Sequence, residues 1–295
     1  MSICNICPRN CSTDRESHAG YCGMTDTLRI SRAALHMWEE PCISGEKGSG
    51  TVFFSGCNMK CVFCQNKEIS AGGFGVDISV ERLAEIFMEL QEKGALNINL
   101  VTPTHYTEQI IQAVKLAKRN GMTLPVVYNT SSYEKVETIK MLEDIVDVWL
   151  PDFKYTDNSD SVRYSRADNY PDIARAAIDE MVRQQPECIF DDDGIIRKGV
   201  IVRHLVLPGK TQQAKDAVEY LYNRYGDSIF ISIMSQYTPC TDLENYPEIN
   251  RKITQEEYDE VVDFAVDIGV ENGFLQEGES ASESFIPPFD LTGVI

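Results

Sequence analysis

TVFFSGCNMKCVFCQN, residues 51–66, sets four residues of an apolar run directly before three cysteines, which are separated by gaps of three and then two. TVFF reads as a short buried strand, so the cysteines stand where that strand ends. The chain beyond it repeats a strand-helix theme. ERLAEIFMELQEKG, residues 81–94, has Leu83, Ile86, Phe87 and Leu90 at helical spacing with Gly94 as a stop, and ALNINLV, residues 95–101, alternates as a strand does. Residues 107–121 predict an amphipathic helix, 125–128 a strand, 133–142 a helix and 145–150 a strand. Further on, 172–185 predict a helix and 188–199 a hairpin turning at Asp193-Gly194. Residues 200–207 then predict a β-branched strand, 212–226 a helix, 228–234 a strand and 254–269 a last helix. About six such repeats argue for a parallel sheet wrapped by helices. A βα barrel and an open doubly wound sheet both satisfy the pattern, and both gather chemistry at the C-terminal ends of their strands.

Composition narrows the class. The chain has 295 residues, 43% of them hydrophobic and 25% charged, which suits a globular protein with a large core. No run of about eighteen apolar residues occurs and the first ten residues lack a signal-peptide core, so a cytoplasmic protein is expected. A net charge of −19 argues against nucleic acid and anionic membranes as partners.

Ten cysteines in a reducing compartment point to metal binding or catalysis before disulfides. Three clustered thiols are an odd number for closed pairing, and structural zinc wants four ligands. An iron-sulfur cube suits the spacing better, because a short loop then ligates three irons and leaves the fourth open. Asn58, Lys60, Gln65 and Asn66 make the stretch too polar for three cysteines packed as core.

CNMKCVFC, with Cys57, Cys61, Cys64 and the aromatic Phe63, resembles the radical S-adenosylmethionine (SAM) signature, including its place after the first strand of a partial barrel. Together with LPDFKY at 150–155 and VRHLVLPG at 202–209 it looks like the pyruvate formate-lyase activating enzyme branch, over roughly residues 51–276. The resemblance implies an α/β fold, a partial (β/α)6 TIM-like barrel. It also implies that Cys57, Cys61 and Cys64 hold a [4Fe-4S] cluster whose open iron SAM chelates, with Phe63 near the adenine. Asn129, Thr130, Asp152 and Lys154 match positions near the methionine part of the cofactor, and His204 lies in the strand motif. A monovalent-cation site built from Asn129, Thr130, Asp152 and Met234 would follow the same branch, although Asn129 stands where an aspartate is usual. The branch's Gly-Gly-Glu is replaced by LVTPTHY, so Thr102 and Thr104 are left to accept the cofactor's amino group and His105 to face the substrate cavity. The activity implied is hydrogen abstraction from a protein or peptide by a 5′-deoxyadenosyl radical, with a glycyl-radical enzyme as one target and a flavodoxin or ferredoxin as electron donor. A radical enzyme acting on a small molecule, or a non-catalytic iron-sulfur or zinc protein, are the alternatives.

Cys4, Cys7, Cys11 and Cys22 fall within nineteen residues among turn-formers, and read as a small metal knuckle holding zinc or an auxiliary iron-sulfur cluster. His18 is surplus to such a site. On this reading residues 1–48 form a cysteine-rich segment and 49–295 the barrel. Cys42, Cys188 and Cys240 carry no spacing signal. On β-strand alternation, Arg203 is expected to turn away from His204 and pair with a helix carboxylate, while Asp152 and Lys154 are expected at the barrel mouth, paired with each other or touching the cofactor.

Overall fold

The computed structural model describes residues 3–239, 243–276 and 287–295. Among these residues ten strands form one sheet: β1 Leu28–His36, β2 Ser49–Phe54, β3 Val76–Ile78, β4 Ile98–Val101, β5 Val126–Thr130, β6 Val148–Pro151, β7 Ile189–Phe190, β8 Ile196–Leu205, β9 Phe230–Met234 and β10 Gly273–Leu275. Among the described residues nine α-helices accompany them: α1 Pro41–Ser44, α2 Lys67–Ser70, α3 Val80–Glu92, α4 Thr107–Arg119, α5 Val136–Met141, α6 Asn158–Ser165, α7 Tyr170–Gln184, α8 Thr211–Tyr225 and α9 Gln255–Asp267. The strand order is β10-β9-β8-β6-β5-β4-β2-β1-β3, and every neighbouring pair from β2 to β10 is parallel. This is the expected α/β architecture, six βα steps in a sheet that does not close on itself. Among the described residues no helix is long and apolar enough to cross a membrane.

Local chemistry accounts for the elements. α3 begins where the Ser79 side chain accepts the Arg82 amide, buries Leu83, Ile86, Phe87 and Leu90 on one face, and stops at Gly94 with φ +87. α9 opens with a capping box between Thr254 and Glu257. β2, β4, β5 and β6 are buried at every residue, as parallel strands covered on both faces must be.

Three features go beyond the sequence reading. β1 pairs antiparallel with β2 over residues 30–36, so the sheet starts inside the stretch expected as cysteine-rich. The connection from β1 to β2 turns into the barrel, where Cys42 and Ile43 of α1 pack against Val127, Val148, Leu150 and Ile201 and plug its floor. Residues 287–295 return to β1: the Leu291 amide donates to the Ser31 carbonyl (3.0 Å), the Ala33 amide to the Thr292 carbonyl (2.8 Å), and Val294 is buried. GFLQEGES at 273–280 reads as a last strand and a loop able to close the barrel's lateral opening; β10 forms at its start, and residues 277–280 lie outside the described residues.

Candidate active site

The loop after β2 is held from several sides. Gly56, at φ +86, passes so close to the N-terminal segment that a Cβ there would stand 2.3 Å from Cγ of Met24 and 2.9 Å from the Cys22 carbonyl. The Cys57 amide donates to that carbonyl (3.2 Å), the Lys60 amide to Ser165 (3.1 Å) and the Val62 amide to Tyr164 (2.8 Å). Arg9 adds side-chain bonds to the carbonyls of Asn58 (2.6 Å) and Arg166 (2.5 Å).

So anchored, the loop presents Cys57, Cys61, Cys64 and Phe63 to a cavity of about 250 Å³ at the C-terminal ends of the parallel strands. Each sulfur meets a polar group: the Met59 amide donates to Cys57 (3.3 Å), the Ser165 hydroxyl to Cys61 (3.0 Å), and the Ser70 hydroxyl lies 3.3 Å from Cys64. Burial, reinforced by Cys61, pushes the Cys57 thiol up to about 12. Burial also raises Cys61, against the pull of Lys154. Both therefore favour the thiol until a bound metal centre displaces their protons to solvent. Sulfurs hydrogen-bonded by hydroxyl and amide groups suit iron-sulfur ligation, where such bonds tune the cluster. No group of three or more His, Cys, Asp or Glu is gathered around a single-ion position among the described residues. A cube does not ask for that, because each cysteine ligates a different iron.

Across the cavity stands a charged group built from β5, β6, β8 and the β1–β2 connection. Lys154 donates to Asp152 Oδ2 (2.6 Å); Arg203 donates through Nε to Asp152 Oδ1 (2.8 Å), through Nη1 to Glu39 (3.1 Å) and through Nη2 to Asn129 (2.6 Å). Burial would raise the Asp152 carboxyl, but Arg203 and Lys154 outweigh it and hold it below its ordinary value. Lys154 is raised despite burial, by Asp152 and then Cys61.

The expected site residues divide. Cys57, Cys61, Cys64, Phe63, Thr102, Asn129, Thr130, Asp152, Lys154 and Met234 all line the cavity. Thr102 does so at φ +58, a left-handed conformation that a β-branched residue adopts only at a cost of about 1–3 kcal/mol and that recurs at functional sites. Thr104 and His204 stand apart. Thr104 is buried and donates to Glu134 (2.5 Å). His204 is buried, its Nδ1 2.6 Å from the Phe153 carbonyl, and burial pushes it down to about 4, so it is a neutral packing residue. His105 likewise lies outside the lining, with Nε2 2.8 Å from the Ser55 carbonyl beneath the cysteine loop. Arg203 reverses the expectation drawn for it: the alternation of β8 is as read, but Arg203 faces the cavity and His204 the helices. The cation reading loses its carboxylate, since both oxygens of Asp152 are already bonded to Lys154 and Arg203.

Sequence reasoning missed Glu39 and Glu134 and put Arg203 on the wrong face. Glu134 accepts from Thr104 and Thr130 (2.6 Å) at one oxygen, while Oε2 is buried without a partner, and burial raises the carboxyl to about 7. Two adjacent acids before a proline, WEEP at 38–41, were the one visible signal for Glu39.

The N-terminal cysteines flank the same loop. Cys7 and Cys22 are buried, and burial raises both thiols, Cys7 to about 11. A Cβ on Gly20 would stand 3.4 Å from the Cys11 sulfur and 3.6 Å from the Cys22 sulfur, so those two flank one small gap.

The sequence pattern of the radical SAM superfamily matches residues 51–221, which includes the cysteine loop and most of the sheet. The chain belongs to the radical SAM superfamily. It is 31% identical over 271 residues to the uncharacterized protein MJ0674 of Methanocaldococcus jannaschii, a match covering 89% of this chain and 74% of that one. Among solved structures it is similar in fold to SuiB of Streptococcus suis bound to precursor peptide SuiA, with TM-score 0.51 and 14% identity over 78% of this chain and 49% of that one. It is also similar to HydG, a maturase of the [FeFe]-hydrogenase, with TM-score 0.53 and 15% identity over 78% of this chain and 52% of that one. The chain thus spans about half the length of these solved proteins. Superfamily membership implies a [4Fe-4S] cluster and SAM, and the cavity-lining thiols fit the first.

Proposed function

We propose that the protein is a radical SAM enzyme of the pyruvate formate-lyase activating type that takes a hydrogen atom from a glycine or another position of a protein or peptide. One observation carries this reading: three hydrogen-bonded thiols and the Asp152, Lys154 and Arg203 group face each other across a single cavity at the C-terminal strand ends. Cys57, Cys61 and Cys64 would hold the [4Fe-4S] cluster. When bound and reduced, the cluster supplies the electron that splits the sulfonium of SAM into methionine and a 5′-deoxyadenosyl radical.

The chain's own residues then do the orienting. Phe63, fixed edge-on against Tyr237 at 5.6 Å, offers an apolar face for adenine. Thr102, Asn129 and Thr130 offer hydroxyl, amide and carbonyl groups, and Lys154 a cation for a carboxylate. The closed charge pairing of Asp152 and Arg203 keeps this wall rigid, which is what positioning a radical requires. Motifs LPDFKY and VRHLVLPG support the activating-enzyme branch, and SuiB, similar in fold, was solved with a peptide bound. The branch also supplies a flavodoxin or ferredoxin as electron donor. Cys4, Cys7, Cys11 and Cys22 would hold an auxiliary iron-sulfur cluster beside the loop, or zinc after closing around one ion, since the structure does not gather three of them around a single-ion position.

The test is 5′-deoxyadenosine formation by anaerobically reconstituted protein given dithionite and SAM. Wild type is expected to form it and Cys61→Ala to form none. A wild-type protein that holds a reduced cluster, binds SAM and yet yields no 5′-deoxyadenosine, with or without peptide, would sink the reading.

A further inference from the structure

A second cavity, of about 280 Å³, opens beside the first between the β10 edge and the floor plug, and the two share Trp38, Glu39, Arg203, Met234 and Gln236. Its charged lining consists of Glu39, Glu40 and Arg203. Arg203 is engaged at all three of its nitrogens, on Asp152, Glu39 and Asn129. Glu39 is engaged too, accepting from Asn99 (3.0 Å), Asn129 (3.3 Å) and Arg203. Glu40 is not. Its side chain is only 8% exposed, the Ser232 hydroxyl reaches it, and Oε2 is buried with no hydrogen-bond partner. A buried carboxyl with an unanswered oxygen is a costly thing to keep, and a donor arriving from the cavity would offset that cost.

The rest of the lining says what kind of donor. Trp38 (58% exposed), Met37 and Leu275 form an exposed apolar rim, with Phe274 behind it. An apolar stem that ends in a cation matches this arrangement: the stem lies along the rim, the charge reaches Glu40, and the Trp38 face adds a cation–π attraction. Burial raises the Glu40 carboxyl and Arg203 only partly offsets that, so an added positive charge at the cavity would favour its ionised form.

We infer that this side cavity binds a protonated amine carried on an apolar chain, as a lysine-type side chain of a substrate peptide is, with Glu40 as its receiving carboxyl. The shared wall would bring such a group beside the cofactor cavity. The inference rests on the proposed radical chemistry for what happens to the bound substrate, but not for the binding itself.

Titration calorimetry on the full chain, reconstituted and without SAM turnover, keeps the two apart. Hexylammonium is the probe, 1-hexanol and hexanoate are the controls, and a blocked Ala-Gly-Lys-Gly-Ala peptide separates a peptide side chain from a free amine. Expected are at least tenfold tighter binding of hexylammonium than of either control, tighter binding still of the peptide, and a tenfold or greater loss for both amines in Glu40→Gln at unchanged cluster content and melting temperature. Equal binding of 1-hexanol, or unchanged amine affinity in Glu40→Gln, overturns the inference; a free amine bound more tightly than the peptide overturns its peptide form. Should Glu40→Gln fail to fold, Trp38→Ala replaces it, with a fivefold loss expected for hexylammonium and no loss counting against the proposal. Amine binding in a protein that forms no 5′-deoxyadenosine would leave this inference standing and remove the radical one.

Discussion

Glu134 shows how much one side chain can hide. Its Oε1 takes both threonine hydroxyls and its Oε2 takes nothing, in a position 1% exposed. The folded carboxyl titrates at about 7 against an ordinary 4.5, because burial disfavours its charge. Between those values the unfolded chain gives up the proton and the folded one keeps it, so stability falls as pH rises from about 4.5 to about 7 and is level beyond. At about 1.4 kcal/mol per unit the penalty is at most about 3 kcal/mol. Glu134→Gln keeps an acceptor for both threonines and cannot ionise. Its stability relative to wild type, measured by urea unfolding, is expected to be about 1–3 kcal/mol more favourable at pH 8 than at pH 5; the same difference at both pH values would contradict the assignment. Nothing in YEK at 133–135 announces this role, since one of the two partners of Glu134, Thr104, lies thirty residues away in the turn after β4. The exchange of Arg203 and His204 has a similar cause. Alternation tells which residues share a face, but not which face looks inward, and here only the tertiary arrangement settles it.

At the scale of elements, the cysteine loop depends on one backbone shape. Gly56 has a positive φ and no room for a Cβ, and both restrictions act at the strand-to-loop junction. Gly56→Ala is expected to lower stability by about 2–4 kcal/mol in urea unfolding and to reduce iron retained on reconstitution, whereas Gly94→Ala, at positive φ with open space around it, is expected to cost less. Full iron retention by Gly56→Ala would show that the loop can be built another way. The parallel strands, α3, α4, α8 and α9 were legible because each carries its own period and stop signal. The hairpin of β7 and β8 was legible from Asp193-Gly194. β1 was not: it lies between two cysteine-bearing stretches, and its pairing with β2 is antiparallel in an otherwise parallel scheme. α6, at eight residues, is too short to show a helical stripe, and its start rests on the Asp157 cap.

Over the whole molecule, the N-terminal segment and the barrel act as one support for the site. Arg9 reaches across 49 residues to Asn58 and across 157 to Arg166, and its guanidinium lies over Tyr21 (4.1 Å) and Tyr133 (4.9 Å). Bonds from a charged donor are worth about 1.5–3 kcal/mol, and every 1.4 kcal/mol is about a factor of ten. Arg9→Ala is therefore expected to speed amide exchange at Cys57, Lys60 and Val62 by about tenfold or more while leaving the amides of β5 unchanged. Uniform acceleration across the sheet would mean that Arg9 supports global stability instead. The sequence separated a cysteine-rich segment from a barrel by composition. The structure joins them by hydrogen bonds that composition does not record.

The return of the last residues to β1 has a consequence for the order in which the molecule is made. Asp290 meets Arg32 across 258 residues, and β3 covers only residues 28–30 of the outer edge of β1. At synthesis rates of about 5–20 residues per second, the middle of β1 waits about 13–50 seconds for its partner to emerge. During that interval the nascent chain carries an unsealed strand edge, the kind that recruits neighbouring chains. Residues 287–295 thus work as a clasp fastened long after β1 is made, and crowding on a polysome is where its late arrival would be felt.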